Sequence, residues 1–204
     1  MVRETLYDEV FHAQRHFRSL LDSMSRPGKI NALDPVDLSP PPHLNRASVL
    51  VAFALLNADV SFHMLNMSDA DAAYLTANTR ARVAPMGAAT FVFTDGENTP
   101  GALEGINCGT LLYPDTAATI VIQVDALSPE PLAGGLKLTF EGPGVETTAC
   151  AYTRRLNPDV LLALQARNAE FPLGIDSILT CDDERGVPHV LGIPRTSKVS
   201  WESC

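Results

Sequence analysis

The chain has 204 residues, 46% hydrophobic and 19% charged, with a formal net charge of −9 and a pI near 4.9. Such a length suits one domain over residues 1–204, large enough to bury a core without disulfide staples. The acidic balance argues against a general grip on nucleic acid or on an acidic membrane surface, though not against a local basic pocket.

The first expected element is a helix over residues 5–25. Leu6, Val10, Ala13, Phe17, Leu20, Leu21 and Met24 recur at three- and four-residue intervals and form its apolar stripe. Pro27 and Gly28 end it, and Lys29-Ile30 opens a short strand. A proline-rich loop covers residues 34–42. Asn45 then caps a second helix over residues 46–57, apolar nearly all round and so expected deep inside. Residues 61–65 read as a strand. Ser68 starts a third helix that runs to about residue 78, with Asp69 and Asp71 in its first turn.

Residues 90–94 are a strand ended by Asp95-Gly96. The sequence Ala117-Ala118-Thr119-Ile120-Val121-Ile122-Gln123-Val124 is apolar and β-branched, the pattern of a strand buried on both faces. Leu136, Leu138 and Phe140 alternate with Lys137, Thr139 and Glu141, which predicts a half-buried strand ended by Gly142-Pro143-Gly144. The rest of the chain is expected to pack on this region. Residues 146–152 follow as a strand. Asn157-Pro158-Asp159 opens a fourth helix with Val160, Leu161 and Leu164 inward. Residues 177–181 and 187–193 pair as a hairpin across Asp182–Gly186, and a tail begins at Pro194. Interspersed helices and strands predict an α/β fold, three layers α/β/α around one mixed sheet.

Chemistry-bearing motifs are sparse. There is no Gly-x-Gly-x-x-Gly after a strand, no phosphate loop, no nucleophile elbow and no His-Glu-x-x-His. Gly142 and Gly144 either present backbone N–H groups to a phosphate or simply form a tight turn; Pro143 removes one donor. Phe171-Pro172-Leu173-Gly174-Ile175-Asp176 sets large apolar residues in a helix-breaking segment. Asp176 is expected to hold loop amides, with substrate contact as the alternative. Arg195 beside Thr196 is suited to a phosphate or carboxylate, or to a salt bridge. His12 and His16, four apart, read as an exposed helix face lacking a third metal ligand. Cys108, Cys150 and Cys181 read as buried free thiols and Cys204 as exposed, in a reducing, cytoplasmic setting. The charged N-terminus is not a secretory signal, and the longest apolar runs are too short to span a membrane.

Taken together, several of these segments resemble one family. Met24-Ser25-x-Pro27-Gly28, Ala89-Thr90-Phe91, Gly109-Thr110, residues 118–124, Phe171-Pro172-Leu173-Gly174-Ile175-Asp176 with Ile178-Leu179-Thr180-Cys181, and Ile193-Pro194-Arg195-Thr196 stand in the order found in PhnH, the H subunit of the bacterial carbon–phosphorus lyase system, with Arg26 a departure from that pattern. The resemblance implies the fold of the large domain of pyridoxal-phosphate-dependent transferases without the cofactor. None of the three lysines, Lys29, Lys137 and Lys198, stands in a convincing Schiff-base context. It implies a homodimer in isolation and a complex with the G, I and J subunits. That assembly makes a ribose 1-alkylphosphonate 5-triphosphate from ATP and an alkylphosphonate and releases adenine. A separate iron–sulfur subunit cleaves the carbon–phosphorus bond. No catalytic residue carries over. The expected role is structural or substrate-positioning, and the candidate substrate or interface residues are Asp176, Arg195, Thr196, Gly142, Gly144, Phe171 and Gly174. The rival readings are a stand-alone enzyme with an Asp176–Arg195 substrate clamp and a binding module for a phosphonate or nucleotide.

Overall fold

The computed structural model describes residues 3–97 and 100–204. In chain order the elements are α1 (Phe11–Ser25), β1 (Ile30–Ala32), α2 (Arg46–Leu55), β2 (Ser61–Met64), α3 (Asp69–Thr79), β3 (Arg82–Val83) and β4 (Phe91–Asp95). Then follow β5 (Thr119–Gln123), β6 (Ala126–Ser128), β7 (Leu136–Glu141), β8 (Ala149–Arg154), α4 (Pro158–Arg167), β9 (Asp176–Asp182), β10 (Pro188–Ile193) and β11 (Lys198–Ser203). Three helices start where the sequence places a cap. The Asn45 and Asn157 side chains accept from Ser48 N and Asp159 N, and Ser68 with Asp71 closes a capping box.

The fold is α/β around a mixed seven-stranded sheet of order β1-β10-β9-β5-β4-β2-β3. Strands β3, β2, β4, β5 and β9 are mutually parallel, and β10 and β1 add antiparallel on one flank. The β5 strand lies at the centre, where Ile120, Val121 and Ile122 are fully buried. Alternation splits its side chains between two cores. Val121 joins Ile178, Val190 and Phe93 beneath α1, α2 and α3, whereas Ile120 and Ile122 join Leu179 and Leu191 on the other face.

That other face departs from three plain layers. The Leu136–Glu141 strand does not enter the main sheet; it forms a second, antiparallel sheet of order β11-β7-β8-β6. Its inner residues Leu138, Phe140, Ala151 and Val199 pack with α4 against the main sheet. The expected tail is therefore strand β11, with Val199 inward and Lys198 and Ser200 out.

Helix α1 also differs. It starts at Phe11 rather than at residue 5, because Asp8 Oδ1 accepts from Val10 N and Phe11 N and turns the chain. Its buried residues are His16, Leu20 and Ser23, while Leu6, Val10, Phe17 and Leu21 are exposed. The cause is close approach to β10: a Cβ on Gly192 would stand 2.8 Å from Met24 N and from Ser23 C. The helix backbone lies on a strand glycine, so a small residue, not a large one, faces the sheet.

Candidate functional site

Five of the seven predicted site residues meet at one corner of the molecule. Asp176 opens β9 and pairs with Thr119, which opens β5, so the corner lies at the amino ends of the parallel strands. Asp176 Oδ1 accepts from Arg195 N at 2.8 Å, and Oδ2 accepts from Arg195 Nη2 at 2.7 Å and Nε at 3.2 Å. Arg195 Nη1 donates to Pro114 O at 2.9 Å. The side chains are 16% and 25% exposed. The pair thus fastens the start of β9, the end of β10 and the approach to β5, and its charged groups are largely spent on each other.

Gly174 supports this corner. A Cβ there would sit 2.5 Å from Asn168 Oδ1 and 3.2 Å from Arg195 Cβ, at φ +139°. Asn168 Oδ1 accepts from Ile175 N, which holds the breaker segment to the end of α4. Arg195, Thr196 and Phe171 line a cleft of about 760 Å³, with Leu161, Leu164 and Lys198 on its other walls. Asp176 does not line it. Phe171 is 72% exposed, and Leu111, Leu112 and Tyr113 stand out nearby at 75%, 84% and 63%. The two apolar loops are tied by Gly174 N to Cys108 O and by the Arg195–Pro114 bond.

The glycine turn packs beside this corner. Gly142 (φ +120°) places its missing Cβ 3.1 Å from Thr196 O; on Gly144 (φ +84°) a Cβ would meet Ser25 O at 2.2 Å. The second glycine is required by the end of α1, and Val145 N to Gly142 O closes a turn. The segments ending at Gly28, Gly144, Asp176 and Thr196, distant in sequence, therefore gather at one end of the fold.

The histidine expectation needs correction. His16 is fully buried, not on an exposed face. Its Nε2 lies 2.9 Å from Asp34 O and must donate, which leaves Nδ1 to accept from Tyr7 OH at 3.3 Å. Burial holds its pKa below the ordinary value and pushes that of Tyr7 up. Among the described residues no group of three or more His, Cys, Asp or Glu could hold a metal. Cys181 is buried, with its thiol pushed up to about 12, Cys108 is half-buried, and Cys150 is exposed like Cys204. No described helix is long and apolar enough to cross a membrane.

A second cleft, of about 710 Å³, lies at the opposite, carboxyl ends of the parallel strands. Asn66, Asp95, Gln123, Asp125, Arg155 and Asp182 are among its lining residues. Sequence reasoning named none of them as a site residue. The available signal was position: each acid or amide ends, or closely follows, an apolar strand, where open α/β sheets place ligands.

Comparison with known proteins covers most of the chain. The family described as "Bacterial phosphonate metabolism protein (PhnH)" matches residues 4–200. The chain belongs to the PhnH family. A relative from Rhizobium meliloti (strain 1021), "Alpha-D-ribose 1-methylphosphonate 5-triphosphate synthase subunit PhnH", is 37% identical over 201 residues, 96% of this chain and 94% of the relative. A second, the "Putative C-P lyase subunit protein HtxG" of Stutzerimonas stutzeri, is 30% identical over 187 residues, 92% and 85% of the two chains. Both relatives are named as subunits, and this PhnH-family chain matches each along most of its length.

Proposed function

We propose that this chain is a subunit of the carbon–phosphorus lyase core assembly, a single domain whose contribution is structural or substrate-positioning. The match to the PhnH family along residues 4–200 carries the reading. In it, the assembly converts ATP and an alkylphosphonate to an α-D-ribose 1-alkylphosphonate 5-triphosphate with release of adenine, in the cytoplasm. The chain is a homodimer alone and joins the G, I and J subunits in the complex. Two features support a binding role at the amino end. Asp176 and Arg195 bond each other rather than standing ready for a substrate, and Leu111, Leu112, Tyr113 and Phe171 are exposed beside them. Clustered exposed apolar residues of this kind mark protein contacts.

The test is co-purification. The tagged chain, expressed with the neighbouring phosphonate-operon subunits, is expected to elute in one stoichiometric complex. A chain that ignores those subunits and stays monomeric would end this reading.

A further inference from the structure

The cleft of about 760 Å³ beside the Asp176–Arg195 pair lies between α4 and strand β11. Its floor includes Ser177 and Ile193, which are paired neighbours on β9 and β10. Ser177 shares its strand face with Leu179, so its side chain points toward α4 and the second sheet. The residue is 1% exposed, and its Oγ has no hydrogen-bond partner among the described residues. Ser197, on the wall, also has an enclosed and unpartnered Oγ. Buried hydroxyls are normally bonded, because leaving one unsatisfied costs stability. Two such groups at one cleft are what a bound group with a polar tip would satisfy.

Strand β11 is an edge of the second sheet, and its register shows which backbone groups are open. Cys204 N donates to Gly135 O. Residues 198, 200 and 202 therefore exchange bonds with β7, and the N–H and C=O groups of Val199, Trp201 and Ser203 point away from the sheet. On that side stands α4. Gln165 Nε2 donates to Val199 O, the place that an N–H of a neighbouring strand would take. Among the described residues no other side chain bonds to this edge. An open edge is where an extended segment adds to a sheet.

Shape and charge describe the occupant. Leu161, Leu164 and Val199 make the walls apolar. Lys198 at the mouth is exposed and stands opposite Glu141 in the register, yet it forms no salt bridge among the described residues, in a chain of net charge −9. A peptide backbone presents alternating N–H and C=O groups at the spacing of β11, which a small molecule does not. We propose that an extended segment of a partner subunit adds to the free edge of β11 as a fifth strand of the second sheet. It sets one large apolar side chain with a neutral polar tip, as tyrosine has, against Ser177, and an acidic residue beside Lys198. The added strand takes the place of Gln165 at Val199 O. This rests on the assembly reading and gives the partner a surface and a form.

The test compares the isolated whole chain with the assembly co-expressed from the neighbouring phosphonate-operon subunits, by hydrogen–deuterium exchange read over residues 199–203. In the assembly the amides of Val199, Trp201 and Ser203 are expected to exchange at least about tenfold more slowly than in the isolated chain. Ser177→Ala removes a hydroxyl that bonds nothing within the described chain, so the Tm of the isolated protein should hold. The complex, dissociated by dilution, should weaken about three- to tenfold. Ser203→Pro removes an outward N–H, which an edge strand tolerates, and should weaken the complex about tenfold. The proposal is overturned by a complex in which residues 199–203 exchange as in the isolated chain, or by both variants assembling like the parent. Protection of that edge in an isolated dimer also overturns it, because the occupant is then a second copy. A chain that recovers no subunits ends the assembly reading and this proposal together, whereas a complex with an open edge ends this proposal alone.

Discussion

Arg195→Ala separates a structural fastening from a substrate clamp. The substitution removes two charge-assisted bonds to Asp176 and one to Pro114 O, and leaves the Asp176 carboxylate only the backbone N–H at position 195. A fully exposed pair would contribute under about 1 kcal/mol, and breaking a fully buried one costs about 3–5 kcal/mol. At 16% and 25% exposure the pair lies between these limits. The expected loss is about 2–3 kcal/mol, which in a chain of this length lowers Tm by about 5–10 °C. Thermal unfolding by circular dichroism measures it, with Arg195→Lys as an intermediate case because Lys cannot make the two parallel bonds. A Tm within about 1 °C of the parent would refute the fastening. If activity of the reconstituted assembly then fell, Arg195 would be holding substrate instead.

Three further outcomes follow from the same geometry. Leu112→Asp, at a residue 84% exposed, should leave Tm unchanged but reduce co-purification with partner subunits; undiminished recovery would clear that loop of an interface role. Burial holds the pKa of His16 below its ordinary value of 6.5, opposed by the nearby Asp34 and aided by the positive charges of His12 and Arg15. The unfolded chain therefore takes up this proton more readily, and stability should fall as pH drops below 6.5 until the folded-state value is passed; urea unfolding of His16→Gln should show a shallower fall over that window. Finally, a thiol reagent should label Cys150 and Cys204 at once and Cys181 only on unfolding, whereas rapid labelling of Cys181 in the native protein would contradict its burial.

Local rules in the sequence reached far into this fold. Asn45, Ser68 and Asn157 announce three helix starts through their capping chemistry, and the β-branched run Thr119–Gln123 announces the central strand. Long-range placement was not legible in the same way. The α1 stripe marks an amphipathic helix, yet its rotation is set by contact with Gly192, about 170 residues away in sequence. Strand β11 alternates Val199 and Trp201 with polar neighbours, but the pattern is short and follows a proline-containing turn, so it reads as tail. Of the site, Asp176 and Arg195 were visible as types, and their bond was not, because it depends on the register of β9 and β10. The carboxyl-end cleft draws on segments from position 42 to position 182, and only the strand order brings them together.

The division between the two ends of the sheet bears on how such a protein can change over generations. At the amino end, Gly144 and Gly174 admit no side chain without displacing a neighbour, and Arg195 holds three segments. At the carboxyl end, much of the rim is carried on connections that leave the strands, while buried Val121, Ile122 and Leu179 hold the sheet beneath it. Substitutions at Met67 or Asp125 can therefore reshape the rim without disturbing that core. One end constrains the lineage, and the other gives it room to diversify.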